Sequence, residues 1–103
     1  MARPRANLQT ILEGVVGTGR KVWFQPPTNT KLTYPCLLYE LSDKDFINAD
    51  NSKYRYMNRY DITYITRDPD DPVVDALLSL EYCTFDRQYK SDNLYHNTYT
   101  IYY

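Results

Sequence analysis

The chain contains a single histidine, His96, within the tyrosine-rich stretch "SDNLYHNTYTIYY". Acid-base or triad chemistry would require a nucleophile and an orienting carboxylate beside it. None of the four serines lies in a G-x-S-x-G nucleophile elbow. Cys36 and Cys83 are far apart in the sequence and form no C-x-x-C pair, and together with His96 they would give zinc only three ligands. We therefore predict two buried, reduced thiols and no catalytic residue, metal site or cofactor.

The stretch "GVVGTGRK", from Gly14 to Lys21, is close to the phosphate-loop pattern G-x-x-x-x-G-K-[ST]. Arg20 occupies the position of the essential lysine, and Lys21 occupies the position of the magnesium-binding hydroxyl. A phosphate loop also runs from a strand into a helix, whereas this stretch follows a predicted helix and precedes a predicted strand. The glycines are better explained as the end of a helix and a turn.

The segment "KYRYMNRY" mixes tyrosine with basic residues, as surfaces that hold single-stranded nucleic acid do. In a regular strand, however, Tyr54 and Tyr56 fall on the face opposite Arg55 and Arg59. A stacking surface needs rings and cations together, so the alternation favours tyrosines packed inward and arginines facing outward. A small nucleic-acid-binding domain remains the alternative from another class of protein.

A chain of 103 residues is long enough for one compact domain and too short for two, so we expect residues 1–103 to form a single domain. Tyrosine, with 12 residues, suits half-buried strand positions and interfaces. A net charge of −1 gives no general attraction for phosphate backbones. Because no stretch has the length of a signal-peptide core or a membrane span, we expect a soluble, intracellular protein without a membrane partner.

The first half of the chain predicts one helix and three strands. In "RANLQTILEGVVG", Leu8, Ile11, Leu12 and Val15 share one helical face, and Gly14 and Gly17 should end the helix. Two short strands follow in "RKVWFQPP" and "YPCLLYELS", the second apolar enough for the sheet interior. A long polar loop, "DKDFINADNSK", then leads to the alternating strand "YRYMNRYDITYITR".

The second half predicts a helix and a final pair of strands. In "RDPDDPVVDALLSLE", Asp68 and Asp71 can cap the helix ahead of Pro69 and Pro72, with an inner stripe of Val73, Val74, Leu77 and Leu78. The strand "YCTFDRQY" should place Cys83, Phe85, Arg87 and Tyr89 on one face. Asp92 and Asn93 should form the turn into the closing strand, residues 94–103. The order α-β-β-β-α-β-β indicates an α+β domain with a mainly antiparallel sheet of about five strands and two helices packed on one face.

Three regions are candidate contact surfaces. The predicted loop carries Phe46 and Ile47 at its middle, and exposed apolar residues favour a partner that covers them. The outward face of the long strand and the tyrosines of the closing strand are the other two regions. The candidate interface residues are Asp43, Lys44, Asp45, Phe46, Ile47, Asn48, Asp50, Asn51, Arg55, Arg59, Tyr99, Tyr102 and Tyr103.

Several segments together resemble one protein family over nearly the whole chain. They are "YPCLLYELSD", "ADNSKYRYMNRYDITYITRDPDD" and "CTFDRQYKSDNLYHNTYTIYY", in which "ADN", "DPDD" and "FDRQYKSDNLYH" are distinctive in combination. The sequence is similar to the small tail-terminator, or tail-completion, proteins of the neck region of long-tailed bacteriophages and prophages.

This resemblance implies a structural virion protein without enzymatic activity or cofactor. The expected assembly is a homo-oligomeric ring, a hexamer, that caps the head-proximal end of the tail tube and stops its polymerisation. The implied partners are the tail-tube protein and the head-connector or head-closure protein, and assembly takes place in the host bacterial cytoplasm. Double-stranded DNA would pass through the ring without sequence-specific binding, which the near-neutral charge suits. Another neck protein, such as a head-closure or adaptor ring, and a minor tail component are alternatives in the same class.

Overall fold

The computed structural model describes residues 4–17, 21–27, 29, 31–49 and 53–103, with backbone only for residues 43–49 and 53–57. The elements, in chain order, are α1 (Arg5–Val16), β1 (Lys21–Phe24), β2 (Cys36–Ala49), β3 (Lys53–Thr66), α2 (Pro72–Leu78), β4 (Cys83–Ser91) and β5 (Leu94–Tyr102). The five strands form one sheet in the order β1-β2-β3-β5-β4. β1 pairs with β2 in parallel, and all other pairs are antiparallel. The predicted α+β class and element order are confirmed.

Helix α1 packs on the sheet through Leu8, Leu12 and Val16, which are buried at a spacing of four residues. The predicted stripe was therefore wrong at Ile11, which is 37% exposed and lies beside the contact line. Gly14 lies inside the helix, and Gly17 ends it with φ 88° and an amide that donates to the Glu13 carbonyl. A residue without Cβ suits that left-handed conformation.

The long polar loop predicted between β2 and β3 was wrong. β2 continues to Ala49, and residues 43–49 pair with β3 in register as far as Ala49 opposite Lys53. These residues favour turns locally, but they form a strand here because each of residues 43–49 pairs with a residue of β3. Pairing between strands therefore overrides local propensity. A bulge at Ser42, between Leu41 and Asp43, shifts the register by one residue. Asp50 and Asn51, two of the predicted contact residues of this loop, lie outside the described residues.

Helix α2 begins as its sequence predicts. Asp71 is the N-cap, its side chain accepts a hydrogen bond from the Val73 amide at 3.0 Å, and Pro72 occupies the first helical position. Val73 and Leu77 are buried against the sheet, whereas Leu78, predicted to face inward, is 42% exposed. The contact stripe of this seven-residue helix therefore ends at Leu77, one residue earlier than predicted.

Strands β4 and β5 form a hairpin closed by Asp92 and Asn93, whose φ angles of 53° and 62° define the predicted two-residue turn. The predicted alternation of β4 was wrong because a bulge at Asp86 inserts one residue between Phe85 and Arg87. Cys83 and Phe85 pair with Ile101 and Tyr99 on the helix-covered face. Arg87 and Tyr89 pair with Thr98 and His96, which lie on the opposite face.

The core lies between the two helices and one face of the sheet. It is rich in tyrosine because a broad ring fills the space between helix and sheet while its hydroxyl reaches a polar partner. The Tyr39 hydroxyl, for example, accepts from Arg5 at 3.1 Å and donates to Gln9 on α1. The buried core residues are Leu8, Leu12, Val16, Leu37, Tyr39, Tyr60, Ile62, Tyr64, Val73, Leu77, Tyr99, Ile101 and Tyr103.

Candidate interaction surfaces

The outer halves of β2 and β3 form a two-stranded arm, made of residues 43–49 and 53–58. Strand β5 follows β3 only to Arg59 opposite Tyr102, and a last backbone pair joins Asn58 and Tyr103 at 3.2 and 2.9 Å. From Met57 back to Lys53, β3 pairs with no described strand other than β2. At about 3.4 Å per residue, the seven residues of β2 make the arm about 24 Å long. The molecule as a whole is elongated and measures 49 × 26 × 23 Å.

Both edges of the arm lack a third strand from the described part of the chain. A lone two-stranded ribbon is marginally stable in water, and its outer amides and carbonyls are available to another chain. The structure places many of the predicted contact residues in this one element rather than in a loop. They are Asp43, Lys44, Asp45, Phe46, Ile47, Asn48 and Arg55.

The base of the arm is fixed by Arg59 and Ser42. The Arg59 Nε donates to the Ser42 hydroxyl at 3.1 Å, and that hydroxyl donates to the Arg59 carbonyl at 3.0 Å. Ser42 is the extra residue of the β2 bulge. Arg59, predicted as a contact residue, therefore also stabilises the bulge at which the arm begins.

Two predicted contact residues of the C-terminal segment, one in β5 and one directly after it, are corrected by the structure. Tyr99 and Tyr103 are 1% and 7% exposed and belong to the core, so their rings are covered by their own chain. The Tyr99 hydroxyl donates to the Val74 carbonyl at 2.9 Å, and burial raises the pKa of this phenol. Tyr102 is half-buried on the face away from the helices and stays available to a partner.

The sheet face opposite the helices, here called the open face, is not covered by either helix. Its centre is polar, with Thr63 opposite Thr98 and Thr100 opposite Thr84. Glu40 lies directly opposite Asp61, an unfavourable like-charge pair, beside a shallow hollow of about 470 Å³. This part of the face therefore disfavours anions.

A different chemistry appears where the open face meets the β4–β5 turn. The rings of Tyr89 and His96 stack with centroids 4.9 Å apart and planes inclined by 9°, and the Arg87 guanidinium lies 5.0 Å from the Tyr89 centroid. Sequence alternation missed this group because the Asp86 bulge moves Arg87 and Tyr89 onto the face of His96. A bulge leaves no regular signal in a single sequence.

The three residues considered for zinc do not converge. Cys36 lies on the open face, in register with His96 across the intervening strand β3, whereas Cys83 packs toward the core. Both thiols are free, and burial raises the pKa of each to about 11. Within the described ranges, no group of three His, Cys, Asp or Glu side chains is placed to hold a metal.

Among the described residues, neither helix is long and apolar enough to cross a membrane. The sequence matches no protein-family model and no curated protein.

Proposed function

We propose that this protein is the ring-forming tail terminator of a long-tailed bacteriophage or prophage, a structural component of the neck of the virion. It would cap the head-proximal end of the tail tube, stop the polymerisation of the tube and join the tail to the head connector. The proposal rests on the sequence resemblance. Its main structural support is the arm, a two-stranded extension that projects beyond the sheet of its own chain.

An arm of this kind suits a ring. A closed ring requires heterologous contacts, in which one patch of a subunit meets a different patch of its neighbour. The arm extends from β2 and β3, which lie inside the sheet order between β1 and β5, whereas the nine-residue β4 forms one edge of the sheet. Residues 84–91 of β4 are all exposed, with Phe85 42% and Tyr89 40% exposed. The arm and the β4 edge are thus two different surfaces that can meet between neighbours.

Passage of DNA through the ring agrees with the charge of the subunit. A net charge of −1 provides no general attraction for phosphates, and the Glu40–Asp61 pair repels them from part of the open face. A head-closure or adaptor ring, or a minor tail component, would use the same surfaces. These alternatives differ from a terminator in their position in the virion, which image reconstruction of particles would reveal.

The test is a variant with a shortened arm, in which an Asn-Gly turn replaces residues 46–56. In a strand, the backbone amide and carbonyl of successive residues point to opposite sides. Those of Asn58 bond to Tyr103, so those of the neighbouring Met57 point to the other side, toward Asp45 on β2. The pair Asp45–Met57 is therefore a bonded pair, which a two-residue turn requires. We expect this variant to keep its core and thermal transition but to lose ring formation and tail capping.

Two point variants give a matched comparison. Phe46→Ser changes an apolar residue of the arm, and Ile11→Ser changes one on the outer side of α1 that is 37% exposed. We expect Phe46→Ser to weaken assembly and Ile11→Ser to leave it unchanged, as measured by sedimentation of the purified proteins. If the variant with the shortened arm assembles as readily as the unaltered protein, the arm is not the ring contact.

One observation favours the alternative function. The stacked Tyr89 and His96, with Arg87 beside them, bring rings and a cation together as nucleic-acid surfaces do. This alternative predicts DNA or RNA affinity that falls with salt and is lost in Arg87→Gln. A protein that forms rings and shows no such affinity would reject it.

A further inference from the structure

A hollow of about 510 Å³ lies at the end of the sheet where β3 finishes and the β4–β5 turn begins. It is lined by Tyr34, Arg67, Asp92, Asn93, Leu94 and His96. These residues come from three separate segments: the loop before β2, the end of β3, and the β4–β5 turn with the start of β5. Neither the ring proposal nor the arm uses this hollow.

Three polar side chains of the hollow offer groups that no described residue occupies. The Tyr34 hydroxyl and the Arg67 guanidinium make no hydrogen bond or ion pair with another described residue. The His96 Nδ1 is paired with the Leu94 carbonyl at 3.2 Å, and because a carbonyl only accepts, Nδ1 carries the proton. The Nε2 atom of His96 is therefore left for a ligand.

The His96 ring is also held in place. It stacks on Tyr89, and its Nδ1 is bonded to the backbone, so both its plane and its tautomer are set before any ligand arrives. A preorganised ring loses little freedom on binding. The lining also contains one carboxylate, Asp92, which is an exposed residue of the β4–β5 turn.

This set of groups matches an oxyanion. The planar fork of a guanidinium donates two parallel hydrogen bonds to phosphate or carboxylate oxygens, and a phenol adds a third. The Nε2 of His96 accepts from a protonated oxyanion or, as an imidazolium, donates to an ionised one. Tyr34, Arg67 and His96 come from three separate segments, and a tetrahedral phosphate has enough oxygens to bond to all three side chains, whereas a carboxylate has only two.

We propose that the Tyr34–Arg67–His96 hollow binds a phosphate group, either as the free ion or as part of a nucleic-acid backbone. The inference does not depend on ring assembly. A monomeric protein can bind phosphate, and a ring-forming protein can lack this site.

The single histidine makes the test direct, since His96 gives the only imidazole signals in an NMR spectrum. Inorganic phosphate is titrated into the protein at constant ionic strength, with sodium chloride as the reference salt. We expect a saturable shift of the His96 ring nitrogens with phosphate and none with chloride. Arg67→Gln should weaken binding roughly tenfold or more, and Tyr34→Phe should weaken it by roughly threefold.

Lys21→Gln is the matched control, because it removes an exposed cation from β1 at the far edge of the same face. It should bind phosphate like the unaltered protein. A parallel titration with a short DNA duplex distinguishes the free phosphate ion from a nucleic-acid backbone as the ligand. If the protein binds the duplex but not the free ion, and Arg67→Gln abolishes this binding, the site is assigned to a nucleic-acid backbone. The proposal is overturned if neither probe gives a saturable shift, or if Arg67→Gln and Lys21→Gln behave alike.

Discussion

The buried carboxylate of Asp71 joins the end of β3 to the start of α2, and its removal should destabilise the whole domain. One oxygen accepts from the Tyr64 hydroxyl at 2.7 Å and from the Thr66 hydroxyl at 3.0 Å. The other accepts from the Val73 amide at 3.0 Å as the helix cap. The side chain is only 6% exposed, so water cannot replace these bonds in the folded protein.

The expected cost of Asp71→Ala follows from these contacts. Loss of an N-cap costs about 1 kcal/mol, and each hydrogen bond to a charged group contributes about 1.5–3 kcal/mol. The substitution also removes the free-energy cost of keeping a carboxylate out of water, and this gain offsets part of the loss. We expect a net loss of about 3–4 kcal/mol in the free energy of unfolding, which lowers the Tm of a domain of this size by about 15 °C or more.

Urea unfolding followed by circular dichroism measures this loss. Asp68→Ala is the control, because Asp68 is exposed and accepts only a local bond from the Asp70 amide, so we expect a loss of about 1 kcal/mol or less. A double-mutant cycle with Tyr64→Phe should show a coupling of about 1–2 kcal/mol. Equal losses for Asp71→Ala and Asp68→Ala, or additive effects in the cycle, would refute the reasoning.

Two further predictions concern buried side chains. Leu12→Ala should lower the free energy of unfolding by about 2–5 kcal/mol, because Leu12 is fully buried. The control Ile11→Ala, at a residue that is 37% exposed, should change it by about 1 kcal/mol or less. Similar losses for the two variants in chemical denaturation would show that α1 packs differently. Cys36 should react with a thiol reagent at pH 8 only after unfolding, because burial raises its pKa from 9.0 to about 11. As the pH rises, this thiol ionises in the unfolded chain before it ionises in the folded protein. Its contribution to stability should therefore be constant below pH 9 and fall as the pH rises toward 11. Rapid labelling of Cys36 in the folded protein at pH 8 would contradict the prediction that this thiol is protected.

Local chemistry made several elements predictable from the sequence. Asp71 before Pro72 marked the start of α2, and Asp92 with Asn93 marked the hairpin turn, because each pair needs only its own backbone geometry. The alternation of β3 placed Tyr60 and Tyr64 on the core face, where both are buried, whereas the side chains of Tyr54 and Tyr56 lie outside the described part of the structure. In each case the signal lies within a few consecutive residues.

Features that depend on pairing between distant segments were not predictable. The bulges at Ser42 and Asp86 are defined by a mismatch between two strands, and neither sequence position differs from an ordinary strand residue. The arm was missed for the same reason, since its polar residues favour turns until they pair across the hairpin. The Tyr34–Arg67–His96 hollow combines three segments that have no common sequence pattern.

The central claim of a ring that caps tail tubes is tested most directly by electron microscopy of the purified protein, alone and mixed with tails that lack it. We predict closed rings of uniform subunit number, and the same ring at one end of the tubes, whose lengths then become uniform. A protein that remains monomeric by mass and is absent from purified virions would contradict the account.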